Sequence, residues 1–503
     1  MRVMRLAAAI CVLAALCSAQ SPEEKTAKYM ESVRHEPGLL LAFLQQMPKG
    51  GDLHVHLAGA IYAESMIDWA AESELCVERS TSKLIHDSCD SCEPALPKPS
   101  VRCAYQDHIL YDQLVDAWSM RNWHTEVESG HDHFFETFGK FGPALDKHIG
   151  DAFAEVAARA AADHLQYVEL MNTADGGQAA ILGTKVGWDD DFPRFREKLL
   201  AGGMSDIVTS VRAQTDANEA REKEVLHCGA AQANAGCAVT IHYLYQVLRG
   251  LPREQVFAQI LLGFELAKND PRFVGFNLVM PEDYYVPMHD FDLHMQIIEA
   301  LRKFYPAVHV SLHADELAMG LVPPEGLRFH IRESIERAGA ERIGHGTAVM
   351  SENDPIGLLD EMAKKHVLVE ICLTSNDTIL GVIGDRHPLP IYMKYGVPVA
   401  LATDDEGVSR SDMTHEYLRA AETYNLSYAE LKRMARASLE HSFIPGASLW
   451  SDGRDSRRAE ACSEVKSFGD APTPKCGKFL DANEKARVQW QMEKAFAEFE
   501  KKF

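Results

Sequence analysis

The stretch Met47-Pro48-Lys49-Gly50-Gly51-Asp52-Leu53-His54-Val55-His56-Leu57 decides the fold. Residues two apart in a strand point the same way, so His54 and His56 can reach one metal ion from one side. By itself the pair is a weak signal, because a satisfied core histidine is common. Working outward, short apolar runs recur at Asp52–His56, Gln166–Met171, Ala238–Leu244, Phe273–Met280, Val308–His313, Arg342–His345, Val367–Cys372 and Val399–Thr403. Each is followed by a longer stretch with helical spacing. Eight near-continuous apolar strands alternating with helices suit a closed parallel barrel, in which both strand faces are covered. Periodicity leaves an open doubly wound sheet as the alternative. The polar residues favour the barrel: His56, His313, His345 and Asp404 all fall at or just past strand C-terminal ends, the face on which barrel sites form. The expected fold is therefore an α/β (β/α)8 barrel.

The chemistry follows from those positions. His54, His56, His313 and Asp404 make a set of three imidazoles and one carboxylate, which suits Zn2+ and leaves a position open for water. The strand ending Phe276-Asn277-Leu278-Val279-Met280 offers no lysine for carbamylation, so one ion is expected. Hydrolysis at an aromatic amidine carbon also needs a proton donor and a group that orients water. Glu316, three residues past His313, is placed to be the acid/base. His345, flanked by Gly344 and Gly346, can contact the attacking water, and Asp405, beside Asp404, can hydrogen-bond a purine ring nitrogen.

The residues 47–57 together with His313-Ala314-Asp315-Glu316, Gly344-His345-Gly346, Thr374-Ser375-Asn376 and Thr403-Asp404-Asp405 resemble, in order and spacing, the signatures of the adenosine deaminase family, over roughly residues 40 to 445. The resemblance implies a zinc-dependent deaminase of adenosine or an adenosine-like nucleoside. It makes His54, His56, His313 and Asp404 the zinc ligands, Glu316 the proton donor, and His345 and Asp405 the other catalytic residues. An export signal, a Cys-bearing insertion and His133-Phe134-Phe135-Glu136-Thr137-Phe138 resemble the secreted branch related to adenosine deaminase growth factors. A homodimer is left open. The pattern departs from the family at three candidate substrate contacts. Ala58 stands where an acidic residue or asparagine holds a ribose hydroxyl, Met280 where a glycine backbone meets the purine, and Asp315 in place of a glycine. Leu373 and Glu406 replace prolines. Other readings are an amidohydrolase acting on a 5′-modified nucleoside or free aminopurine, and an extracellular growth-factor-like binding protein.

The rest of the chain sets limits. A formal charge of −23 repels phosphate backbones and anionic membranes, so neither nucleic acid nor a membrane is an expected partner. Arg2 and Arg5, the apolar run Leu6–Leu16 and Cys17-Ser18-Ala19 read as a signal peptide over residues 1–19, cleaved before Gln20, and imply a secreted or periplasmic protein. The bulky Leu16 argues against lipid attachment at Cys17. Residues 20–503 then form one domain, with an inserted subdomain at about 72–125 carrying Pro94, Pro97 and Pro99. Cys76, Cys89, Cys92 and Cys103 allow three connectivities. Cys228 with Cys237 and Cys462 with Cys476 form close pairs, and Cys372 reads as a buried free thiol. The spacing of Cys89 and Cys92 also suits a zinc knuckle or a redox motif, but the exported context and acidic surroundings make structural bridges the expected reading. Ser427 with Glu430 marks a capping box. A last helix is expected from near Asp481, its stripe Val488, Met492, Phe496 and Phe499 packing on the core.

Overall fold

In the computed structural model, residues 20–503 are described apart from 94, 95, 127, 452 and 454–456. The expected export signal lies outside the described residues. Eight parallel strands follow one another round a sheet: β1 (Gly50–His56), β2 (Leu165–Asn172), β3 (Thr240–Leu248), β4 (Phe273–Val279), β5 (His309–Ala314), β6 (Arg342–His345), β7 (Leu368–Ile371) and β8 (Val399–Leu401). Every residue of β1 and β4 is buried, as strands covered on both faces require. The sheet closes where Val55 bridges to Asp404. The Asp404 amide donates to the His54 carbonyl at 2.8 Å, and the His56 amide donates to the Asp404 carbonyl at 3.3 Å. The fold is a (β/α)8 barrel. The last strand stops two residues short of the expected Thr403, because the Thr403 amide and hydroxyl turn instead to Asp52.

The longest excursion separates β1 from β2. It contains a hairpin of Cys76–Glu78 and Lys83–Ile85, then helices His108–Ala117, Gly130–Phe141 and Ile149–Ala162. Disulfides join Cys76 to Cys89 and Cys92 to Cys103, so Cys89 and Cys92 have different partners and form no zinc knuckle. Cys228–Cys237 and Cys462–Cys476 are also bridged, and Cys372 is free and buried. No described helix is long and apolar enough to cross a membrane.

Near the C-terminus the capping box forms at Ser427 and Glu430, opening helix Tyr428–Glu440. The last helix starts later than expected. Helix Pro474–Ala482 includes Asp481, and Glu484–Glu500 begins afresh beyond Asn483. Asn483 is in an extended conformation, its side chain accepting from the Ala447 amide and donating to the Phe479 carbonyl, which breaks the helix there. Val488, Met492, Phe496 and Phe499 are buried in the main core. Each such side chain contributes about 1.5–3 kcal/mol.

Inside the barrel lies a layer of buried charge. Arg342 on β6 reaches Glu169 on β2 at 2.6 Å and Glu370 on β7 at 2.7 Å, and its guanidinium lies 3.8 Å from the Phe443 ring centre. Tyr167 and the Phe443 amide donate to Glu169, and Ser311 donates to Glu370. Burial would push Glu370 up, but Arg342 and His54 hold its carboxyl below the usual range. Removing one member of such a set strands the others. Arg342→Met is expected to cost about 3–5 kcal/mol of stability, read from denaturant unfolding. A loss under about 1 kcal/mol would mean the two glutamates do not depend on the arginine.

Candidate metal centre

The strand ends bring the expected ligands together. His54, His56 and His313 each offer a ring nitrogen within a group whose atoms lie within 4.8 Å of one another. His313 Nε2 is 3.0 Å from His54 Nε2 and 3.3 Å from His56 Nε2. Asp404 Oδ1 stands 3.4 Å from His56 Nε2 and 3.8 Å from His54 Nε2. All four residues are buried.

Each imidazole is oriented from behind by an acceptor on another strand. His54 Nδ1 donates to Glu370 at 2.7 Å, His56 Nδ1 to Gln246 at 2.9 Å and His313 Nδ1 to Asn277 at 2.9 Å. Those bonds select the tautomer in which every Nε2 carries a lone pair. Three lone pairs converging at such distances repel one another unless a cation joins them. Nitrogens held at about 2.0–2.1 Å in a tetrahedral shell stand about 3.3 Å apart, so the donor set fits a metal ion. Burial pushes His56 down to about 4 and His313 well below the imidazole range, which keeps both neutral as ligands must be.

The remaining expected residues surround this group. Glu316 is buried, and burial lifts its carboxyl above the usual range. His345 Nε2 lies 3.8 Å from Glu316 Oε1, while His345 Nδ1 donates to Asn376, whose amide donates on to His387. His345 Nε2 and Asp405 Oδ1 are buried with no hydrogen-bond partner. Asp405 shares a candidate ligand group with His56 and Asp404. Space for its carboxylate depends on Gly59, where a Cβ would fall 1.6 Å from Asp405 Oδ1. Glu406, next in sequence, is buried and tied to Arg159 at 2.6 Å.

The three candidate substrate contacts have different surroundings. Ala58 is half-buried on the short helix Leu57–Ala60. Met280 has the left-handed backbone that favours glycine, φ 87°, and its side chain is seated on Gly250, whose amide is 3.3 Å from Met280 Sδ. Asp315 is also left-handed, φ 67°, and fully buried, with neither carboxyl oxygen hydrogen-bonded. Sequence reasoning missed the roles of Gln246, Asn277 and Glu370, because an isolated polar residue in an apolar run carries no signal of the histidine it serves; Asn376 stood within a quoted motif, but its bond to His345 was not read. It read Cys372 as a core thiol without placing it near the site. The Cys372 Sγ joins His54, His345 and Asp404 in one group within 4.8 Å.

The buried His/Asp group thus sits on the face of a (β/α)8 barrel where active sites form. Residues 208–449 match the family model described as adenosine deaminase. That match covers β3 to β8, so the His54–His56 strand lies outside it. Adenosine deaminases from Escherichia coli strains are 34% identical over 139 residues and 35% over 137 residues. Each alignment takes in 27% of this chain, which spans only 38% of the length of those relatives. Among solved structures, the N6-methyl-AMP deaminase from Arabidopsis thaliana aligns with 80% of this chain and 94% of its own, at 18% identity and a TM-score of 0.51. Arabidopsis ADAL complexed with IMP aligns with 80% and 93%, at 19% identity and a TM-score of 0.52. Both likenesses are of fold.

Gln246 offers a clean test of the orienting bonds, since it carries no charge. Gln246→Leu is expected to weaken metal affinity by about 10–100-fold in chelator competition, with the fold retained. Unchanged affinity would leave His56 oriented by packing alone.

Proposed function

We propose that this chain is an exported, zinc-dependent deaminase that hydrolyses the 6-amino group of adenosine or an adenosine-like nucleoside, giving the inosine-type product and ammonia. The observation that carries the reading is the convergence of three imidazole lone pairs with Asp404, beside Glu316 and the unpartnered His345 Nε2 and Asp405 Oδ1. His54, His56, His313 and Asp404 would hold the ion. When bound, zinc supplies the Lewis acidity that makes water a nucleophile near neutral pH.

The chain's own residues do the rest. Glu316, its carboxyl raised by burial to about 7, gives its proton to the ring nitrogen next to C6 as water adds, and recovers one as the product forms. His345, fixed by Asn376, orients the water and passes its proton to the departing amine. The C6–N bond breaks, C6 gains oxygen, and ammonia leaves. Asp405 holds a second ring nitrogen. Burial of Glu316 and His345 excludes bulk water from the proton path.

The Arabidopsis relatives act on N6-methyl-AMP or are complexed with IMP, which makes a nucleotide the second reading. Two arginines packed on the site favour the nucleoside, because each is already engaged: Arg159 with Glu406, and Arg249 with the His313 carbonyl and Glu282. The export reading and the likeness to the growth-factor branch rest on the N-terminal run and the Cys-bearing insertion. An extracellular binding role is the competing view, and turnover tests it.

Asp404→Ala and His313→Ala are expected to abolish both bound zinc and ammonia release. Glu316→Gln should keep the metal and lower kcat by about a hundredfold or more. Stoichiometric zinc with full turnover in the first pair would refute the ligand assignment, and a near-normal kcat in the third would remove Glu316 from the chemistry.

Ala58 has no group to offer a sugar hydroxyl, so loss of that hydroxyl should matter little. In a panel of adenine, adenosine, 5′-deoxyadenosine and AMP, we expect kcat/KM for 5′-deoxyadenosine within about tenfold of adenosine, or about 1.4 kcal/mol. A preference for adenosine above about a thousandfold would show that another residue holds the hydroxyl. Turnover of AMP above both nucleosides would favour the nucleotide reading.

A further inference from the structure

Behind the site lies a buried polar cluster that the proposed chemistry does not use. Glu282, on the loop after β4, is 1% exposed. Its Oε2 accepts the Glu316 amide at 2.8 Å. Its Oε1 faces His330 Nδ1 at 2.7 Å, in a contact without hydrogen-bond alignment, and Arg249 Nη1 at 3.8 Å. Arg249 is fully buried just past the end of β3 and donates to the His313 carbonyl at 3.2 Å and the Met280 carbonyl at 3.4 Å. His330 opens the helix after β5, its ring stacked on Phe291 with centres 4.3 Å apart.

The physical need for such a cluster is clear from the backbone it holds. Beyond β5 the chain enters the left-handed region at Asp315, a residue with a Cβ, before presenting Glu316. That conformation is strained for a residue with a Cβ and persists only where the surroundings over-determine it. On one side the Thr347 amide and hydroxyl donate to the Asp315 carbonyl. On the other, the Glu282 carboxylate takes the Glu316 amide. Burial would raise the Glu282 carboxyl, but His330 and Arg249 bring it down to about 2, so it stays an ionised acceptor.

We propose that Glu282, braced by Arg249 and His330, is the positioning residue that fixes Glu316 for proton transfer. The inference rests on the reading of Glu316 as the acid/base. Glu282 touches no reacting atom; it acts through the backbone that carries the acid. A small misplacement of a catalytic group costs up to about a hundredfold in rate, so the effect should appear in kcat.

The experiment is a double-mutant cycle on the zinc-loaded enzyme, using whichever panel substrate turns over best, combined with hydrogen exchange of the peptide spanning 313–319. Glu282→Gln keeps the shape and removes the charge. It is expected to lower kcat by about tenfold or more, leave KM and zinc content within about twofold, and speed exchange at the Glu316 amide. Placed on Glu316→Gln, it should cost nothing further, since the group it positions is gone. His330→Asn, which leaves Glu282 and Glu316 intact, should give a smaller loss of the same kind and keeps the test decisive if Glu282→Gln does not fold. Normal kcat with unchanged exchange in the folded variant would overturn the proposal, as would a full additional loss on the Glu316→Gln background. A Glu316→Gln enzyme with normal kcat would instead overturn the acid/base reading, and exchange alone would then judge whether Glu282 holds that loop.

Discussion

Two backbone hydrogen bonds close the barrel, and both pass through residues of the candidate metal group. The Asp404 amide donates to His54, and the His56 amide donates to Asp404. Joining the first strand to the last is therefore the same event as bringing two imidazoles to the carboxylate. Side chains two apart on β1 point one way, and the bridge at Val55 sets Asp404 between them. The positions of three ligands thus follow from backbone pairing. The fourth, His313, comes from β5 across the barrel and is steered by Asn277, which accepts both its amide and its Nδ1.

Beneath the metal group the interior is charged where an apolar layer would pack more simply. Glu370 links the two levels, accepting from His54 above and pairing with Arg342 beside it. A carboxylate behind a ligating histidine raises the basicity of the ring and fixes its orientation. Buried alone it would carry a large desolvation penalty, which Arg342 and Ser311 offset. Glu169 completes the arrangement on the far side of the guanidinium. The cost of a buried charge layer is thus tied to the direction of a single imidazole.

Much of this was legible in the residues. The eight strands fall where apolar runs precede helical spacing, since burial on both faces leaves little room for polar residues. His54, His56, His313 and Asp404 stood out because they cluster at the C-terminal ends of the expected strands and together make a metal-ligand set. What stayed hidden depends on contacts distant in sequence. Glu370 sits in an apolar run like any tolerated polar residue, and nothing local shows that it meets His54. Glu282 looks like a loop acid until Arg249 and His330 are seen around it. Asn483 divides the last two helices through bonds to Ala447 and Phe479, which no periodicity reports. The strand ends were misjudged for the same reason: Thr403 leaves the ladder for Asp52.

That last contact spans 351 residues of chain. Such a distant pairing makes the barrel slow to close, because loop entropy must be met before the contact forms. On the ribosome, a nascent chain that has emerged only as far as β7 holds all three imidazoles but not the carboxylate that completes their shell. The candidate metal group is thus completed only when the last strand joins the first. Completion of the His/Asp group coincides with closure of the barrel, and a truncated chain would be left with an open sheet edge at β1 and β7.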